Sequence, residues 1–320
     1  MNDLLRTIKD TFQASLSVAL TLMRVMIPVI IGVKLLKEFG LIGYLAMPLE
    51  PIMELVGLPA SMGIVWATGL LNTIYGAMIV FVSLAPDAQL TVAQVTVLAC
   101  MLLIAHGLPV ELKIARMCGP SVLGQGLIRV GAALTCGLIM HLIFSGFDLL
   151  QGPSTVFWNP GAEPTSHLEW ALGEARNLAS IFVIIFALML MMKLLDALKI
   201  TNLLSWSLRP ILTRIGIGPS ASAVTVVGLT LGLSYGSGLI IHEAKTGRLG
   251  RKDAFYSLTL MGLAHALIED TMLMMMLGAD FTGVFWGRLL FSLIFMALLV
   301  QVVSRLPQTF FDRTLMADSS

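Results

Sequence analysis

The side chains of this sequence that could do chemistry are ionisable groups set inside long apolar runs. His106 stands in LLIAHGLPVELK and His265 in MGLAHALIEDTM. An ionisable group in hydrocarbon is costly, and by default it marks a pathway, a proton relay or a buried pair. Imidazole with carboxylate can carry protons or ligate first-row metals. Acids follow both histidines: Glu111 in the first run, Glu269 and Asp270 in the second. Glu111 precedes Arg129 by 18 residues and Asp270 precedes Arg288 by the same 18, which places an acid and an arginine on consecutive antiparallel helices twice over. Glu111, Arg129, Asp270 and Arg288 therefore read as structural ion pairs that fasten helices. Glu269 lacks such a repeated partner. It follows His265 by four residues, on one face of a continuous helix. It reads as a coupling acid, with His265 as relay or ligand and H+ or Na+ as the coupling ion. A metal reading stands beside this one, a divalent ion held by His106, His265, Glu269 and Asp270. So does a bland one, in which each imidazole satisfies a backbone carbonyl.

Other polar groups sit where a span could break: Asn72, Thr73 and Tyr75 in GLLNTIYGA, and Ser234, Tyr235 and Ser237 in LSYGSG. Gly228, Gly232 and Gly236, four residues apart, make a small-residue face suited to close helix packing. Cys100, Cys118 and Cys136 are scattered singly without metal-site spacing and read as core residues. The methionines, including Met274-Met275-Met276, read as apolar filler. The chain has neither the HExxH zinc motif nor a P-loop, and the expectation is that it is not an enzyme.

The elements that must position these residues are membrane helices. Of 320 residues, 57% are hydrophobic and 12% charged, half the charge of an ordinary soluble domain. A net charge of +1 leaves no basic face for nucleic acid, and the partners expected are lipids and a small-molecule or ion substrate. A homodimer remains an open assembly. Apolar runs place spans at 14–36, 60–84, 92–117, 121–146, 177–198, 220–242, 253–277 and 282–304. Two shorter Pro-containing segments, 41–58 and 202–217, could lie in the interface, re-enter or cross. A shift of 159 residues aligns Lys34-Leu35-Leu36 with Lys193-Leu194-Leu195, Pro51-Ile52 with Pro210-Ile211, His106 with His265 and Arg129 with Arg288. Val110 then matches Glu269, and with one further residue Tyr75-Gly76 matches Tyr235-Gly236.

Charge decides the orientation of the copies. Lys245, Arg248, Arg251 and Lys252, with the tail residues Arg305 and Arg313, belong inside; the central connection, with Asp148, Glu163, Glu169 and Glu174, belongs outside. With Arg6 and Lys9 inside, an odd number of crossings must precede that connection; five fits, so the Pro segments count as crossings and the repeats are inverted. Lys34 and Lys37 fall outside, against the rule. The expected fold is an all-α polytopic membrane protein with two inverted repeats of about five membrane-embedded segments, some broken or re-entrant. Its parts are an interfacial helix at 1–13, a first repeat at 14–147, an extracytoplasmic connection at 148–176, a second repeat at 177–304 and a tail at 305–320. Both termini face the cytoplasm of a bacterial inner membrane.

The segments GLPASMGIVWATGLLNTIYGA and GIGPSASAVTVVGLTLGLSYGSG, each after a Pro-Ile segment, resemble the nucleoside-recognition or gate domain family. That family includes gate regions of concentrative nucleoside transporters, ferrous-iron permeases and spore-maturation membrane proteins. The resemblance spans most of the chain, about one copy per half. It implies a permease-like helical fold with a midplane site, and substrate contacts from Asn72, Thr73, Tyr75, Ser234, Tyr235 and Ser237, joined by His106 and His265. The histidine clusters HGLPVE and HALIED depart from it. The expected function is a secondary transporter for a small polar or anionic solute, nucleoside-like or other, working by alternating access. The alternatives are a divalent-metal permease and a non-transporting protein of the spore-maturation type. Single cysteines at Gly161 and Gly247, in a background lacking the native three, test the topology: an impermeant reagent should label only Gly161 in intact cells. Labelling at Gly247 would overturn the inverted arrangement.

Overall fold

A computed structural model describes residues 2–157, 166–245 and 249–317, which form helices and no strand. Glu163, Arg248 and both labelling positions, Gly161 and Gly247, lie outside the described residues. The chain opens with α1 (Asn2–Glu38). Its 41–58 segment is a run of short turns, α2 (Ile42–Ala46), a 3-10 turn and α3 (Glu50–Leu55). Next come α4 (Ser61–Leu71), α5 (Ile74–Ala88), α6 (Val92–Ile104), α7 (Leu108–Met117) and α8 (Val122–Gly146). The second half follows with α9 (His167–Ala197), α10 (Ile200–Ile215), α11 (Pro219–Leu231), α12 (Leu233–Lys245), α13 (Arg251–Ala264) and α14 (Glu269–Met276). A π-helical turn at Thr282–Gly287 leads into α15 (Arg288–Arg305), and α16 (Gln308–Thr314) closes the chain.

Local chemistry sets the boundaries. Thr91 and Gln94 form a reciprocal capping box that starts α6. Ser121 accepts from the Gly124 amide at the start of α8, and Thr73 accepts from the Gly76 amide at the start of α5. Gly216 at φ +107° ends α10 in the left-handed region that glycine enters freely.

Among the described residues, six helical stretches are long and apolar enough to cross a membrane, and burial sorts them into layers. The stretches 92–117 and 251–276 have 72% of their apolar window buried; 122–146 and 282–305 have 39%, and the stretches within α1 and α9 have 24% and 17%. α6 and α13 are apolar all round and form the centre, whereas α1 and α9 pair at the margin. The halves interlock across this centre. Gln125 donates to the Thr259 hydroxyl at 2.8 Å, and the Asp280 amide donates to the Thr96 hydroxyl at 2.9 Å.

Several expectations are refined. The 1–13 segment and the first span are one unbroken helix, because α1 carries its amphipathic start straight into the apolar run. α9 begins at His167, ten residues before the expected edge of the second repeat. The tail is ordered: Phe311 is buried against Phe255, and the Ala317 amide donates to the Gly119 carbonyl. Lys34 and Lys37, the exceptions to the charge rule, are paired. Lys34 meets Glu38 at 2.8 Å and lies over the Trp170 ring, and Lys37 meets Asp87 at 2.9 Å.

The glycine face of the second half performs close packing. Gly228 and Gly236 abut across the junction of α11 and α12, and the Met261 thioether from α13 fills the space beside both. A Cβ at Gly236 would stand 2.7 Å from the Gly228 Cα, a backbone atom with nowhere to go. Gly236→Val should therefore destabilise the protein by about 1–3 kcal/mol, read as a lower unfolding temperature in detergent, while Gly238→Ala, which meets nothing, should not.

Candidate functional site

Four helix interruptions define the candidate site, and they recur in the two halves: α4 breaks from α5 at Asn72-Thr73 as α11 breaks from α12 at Gly232, and α6 breaks from α7 at 105–107 as α13 breaks from α14 at 265–268. A helix broken away from water must find new partners for its freed backbone groups. The Gly107 amide donates to the Gly69 carbonyl at 2.8 Å, joining two breaks of the first half. The Leu267 amide donates to the Leu229 carbonyl at 2.9 Å, joining the two of the second. His106 and His265 meet between the halves with ring centroids 5.1 Å apart.

Each histidine is fixed at one nitrogen. His106 Nδ1 lies 2.9 Å from the Leu102 carbonyl and His265 Nδ1 lies 2.8 Å from the Met261 carbonyl. A carbonyl only accepts, so Nδ1 carries the proton in both rings. Both Nε2 atoms then face one carboxylate oxygen, Glu111 Oε1, at 3.4 Å each. The other oxygen, Oε2, accepts from Arg129 Nη1. Arg129 also donates through Nε to the Ile104 carbonyl at 3.0 Å and through Nη2 to the His106 carbonyl at 3.3 Å. The guanidinium thus caps the broken end of α6 and holds Glu111 in place. Gly262 on α13 leaves room for its stem, since a Cβ there would meet Arg129 Cδ at 3.0 Å.

Asp270 completes the group. His106, His265 and Asp270 are all buried, and each offers a ligand atom within 4.8 Å of the others. Asp270 Oδ2 has no hydrogen-bond partner. The expected partner, Arg288, is fully buried, and none of its three side-chain nitrogens has a partner either. The second-half pair is therefore not formed, because Asp270 lies beside the histidines instead, though Arg288 stays within its electrostatic range.

Glu269 is placed differently from the expectation. It was to share a helix face with His265, but α13 ends before His265, which is extended at ψ 165°, and Ala266 is left-handed at φ +45°. No continuous helix joins the two residues. Glu269 is half-buried at the start of α14, near His265 and Tyr75, with no hydrogen bond or ion pair among the described residues. The acid that faces both histidines is Glu111, whose repeated arginine marked it as purely structural. The proline at Pro109 and the left-handed Gly107, which turn α7 so that Glu111 returns to His106, were the signal for it.

The uncharged polar set divides. Thr73 spends its hydroxyl on the α5 cap, the Asn72 side chain packs against Gly76, and Tyr75 is half-buried. Ser234, Tyr235 and Ser237 lie on α12, and their side chains are outside the described residues. The letters Gly232-Leu233-Ser234-Tyr235-Gly236 match GxSxG, but they join helix to helix rather than strand to helix, so they are not a nucleophile elbow. Cys100 and Cys136 are buried free thiols.

The asymmetry between the arginines gives a stability test. Arg129→Met strands the Glu111 carboxylate and the carbonyls of Ile104 and His106, and should destabilise by about 3–5 kcal/mol. Arg288→Met removes a buried cation with no hydrogen bond and should leave the unfolding temperature unchanged or raise it. Thermal unfolding in detergent checks both, and an equal or larger loss for Arg288→Met would contradict the unpaired assignment.

Among known proteins, the chain is 28% identical over 267 residues to "Uncharacterized membrane protein YvoD" of Bacillus subtilis (strain 168), covering 81% of this chain and 82% of that one. No family profile matches the chain, the nucleoside-recognition family included. No solved structure matches it. Together with the six apolar stretches of membrane-crossing length among the described residues, the likeness identifies a membrane protein.

Proposed function

We propose that the chain is a secondary transporter moving a small polar solute or ion by alternating access between two inverted repeats. The observation that carries this is the meeting of four helix interruptions around His106, Glu111, Arg129, His265 and Asp270. Broken helices at membrane depth are tolerated where they line a site, and buried ionisable groups there mark a path for charge. A protein that only held its neighbours would gain nothing from keeping this many charges off its surface.

The two halves suggest the two states. In one, Glu111 closes on Arg129 while Asp270 lies open beside the histidines, the arrangement described above. In the other, Asp270 closes on Arg288 and Glu111 is released, so that repeats related by inversion exchange their roles and the site faces the opposite side. Glu269 stands at the edge of the cluster with no bonded partner among the described residues, where it can take a proton from water and pass it toward His265.

The test is transport by the full-length protein in vesicles under an imposed pH gradient, against a panel of small polar solutes and ions. At least one should accumulate in a pH-dependent way. Glu269→Gln should keep the protein folded and able to exchange that solute while removing the pH dependence. If nothing in the panel moves in wild-type vesicles, the transport reading fails and a non-transporting role takes its place.

A further inference from the structure

The backbone carbonyls place a proton on Nδ1 of each ring and turn both Nε2 atoms toward Glu111 Oε1, at 3.4 Å each. In the neutral rings these are acceptors facing an acceptor, an arrangement that a positive species, a proton or a metal ion, must hold together. Beside them lies Asp270 Oδ2, buried and without a hydrogen bond. The two histidines thus stand between Glu111, 3.4 Å from each Nε2, and Asp270, within 4.8 Å of both rings' ligand atoms, and Arg129 bonds none of these facing atoms, since its nitrogens go to Glu111 Oε2 and to the carbonyls of residues 104 and 106.

The spacing fits a metal ion. Ligand atoms about 2.0–2.1 Å from a tetrahedral zinc lie about 3.3–3.4 Å from one another, which is the separation of each Nε2 from Glu111 Oε1. One ligand atom each of His106, His265 and Asp270 lie within 4.8 Å of one another, close enough for side-chain adjustment to bring them onto a common ion. The supporting contacts have the usual form as well. A ligating imidazole donates its other N–H to a carbonyl or carboxylate, as both histidines do here, and a ligating carboxylate is held through its second oxygen, as Glu111 is by Arg129.

We propose that His106 Nε2, His265 Nε2, Glu111 Oε1 and Asp270 bind a divalent first-row metal ion of the zinc, iron(II) or manganese(II) class. Two imidazoles with two carboxylates disfavour the hard, oxygen-seeking magnesium and calcium ions. The site differs from the set suggested by the sequence, with Glu111 in place of Glu269. Naming this ion as the cargo rests on the transport reading; naming it as the ligand of the site does not.

Metal-free full-length protein in detergent, titrated with Co2+ as a spectroscopic stand-in, should develop the intense visible ligand-field absorption of a four-coordinate nitrogen and oxygen site. Zn2+ should raise the unfolding temperature. His106→Asn and His265→Asn should each weaken Co2+ binding at least ~100-fold, while His167→Ala, on the exposed start of α9, should not change it. Mg2+ and Ca2+ should bind at least ~100-fold more weakly than Co2+. A wild-type protein with neither Co2+ absorption nor a Zn2+-induced shift overturns the site, whatever the variants do, and leaves a shared proton between the rings. Equal binding of Mg2+ or Ca2+ overturns the assigned class of ion. Vesicles carrying a metal-sensitive dye separate cargo from ligand: Zn2+ entry supports the ion as cargo, and binding without entry overturns the cargo assignment alone.

Discussion

The Arg129 guanidinium holds the centre of this protein together. α6 stops inside the molecule, where no water can take up its last carbonyls, and Arg129 supplies the missing donors to residues 104 and 106. Having done so it has one nitrogen left, and that nitrogen fixes Glu111. Glu111 in turn faces both histidines, one from each half. The break in α6, the return of α7 and the contact between the halves therefore follow from one planar cation with several donors in a fixed fork. A lysine, with a single charged nitrogen, could not reach the same set of acceptors.

The second half repeats the residues without repeating the bonds. Arg288 stands at the start of α15 as Arg129 stands within α8, yet its nitrogens are buried and unpartnered. The histidine contact does repeat: the Met261 carbonyl receives the His265 imidazole at 2.8 Å as the Leu102 carbonyl receives that of His106, but no bond from Arg288 matches those of Arg129 to residues 104 and 106. Asp270 lies beside the histidines instead, and the Arg288 guanidinium stays buried without a hydrogen bond among the described residues. A buried charge in this condition is poorly stabilised and would gain from any rearrangement that restored Asp270 to it.

Much of this was legible in the sequence. The 159-residue repeat brought out His106, His265, Arg129 and Arg288, all of them buried in the structure, and the apolar runs located the helices, although α1 and α9 each start ten or more residues before the expected edge. The errors have local causes. Symmetry required an Asp270 pair to match the Glu111 pair, and symmetry of sequence does not enforce symmetry of bonding. Helical spacing joined Glu269 to His265, and spacing fails where the helix stops. In the first half the stop is announced by Gly107 and Pro109. In the second half the same turn is made at Ala266, a residue that ordinarily favours a helix, so the letters carry no sign of it.

Ala266 shows how firmly the surroundings impose that turn. A residue with a Cβ held in the left-handed region costs roughly 1–2 kcal/mol, and Ala266 occupies the position that Gly107 takes without strain. The conformation is held from both sides. His265 is tied to Met261 through its amide and its ring, and the Leu267 amide is tied to the Leu229 carbonyl of α11. Releasing Ala266 would break one of these two anchors. The strain therefore sits between the bond that orients His265 toward Glu111 and the bond that joins the two broken helices of the second half, so that moving either broken helix must move the histidine.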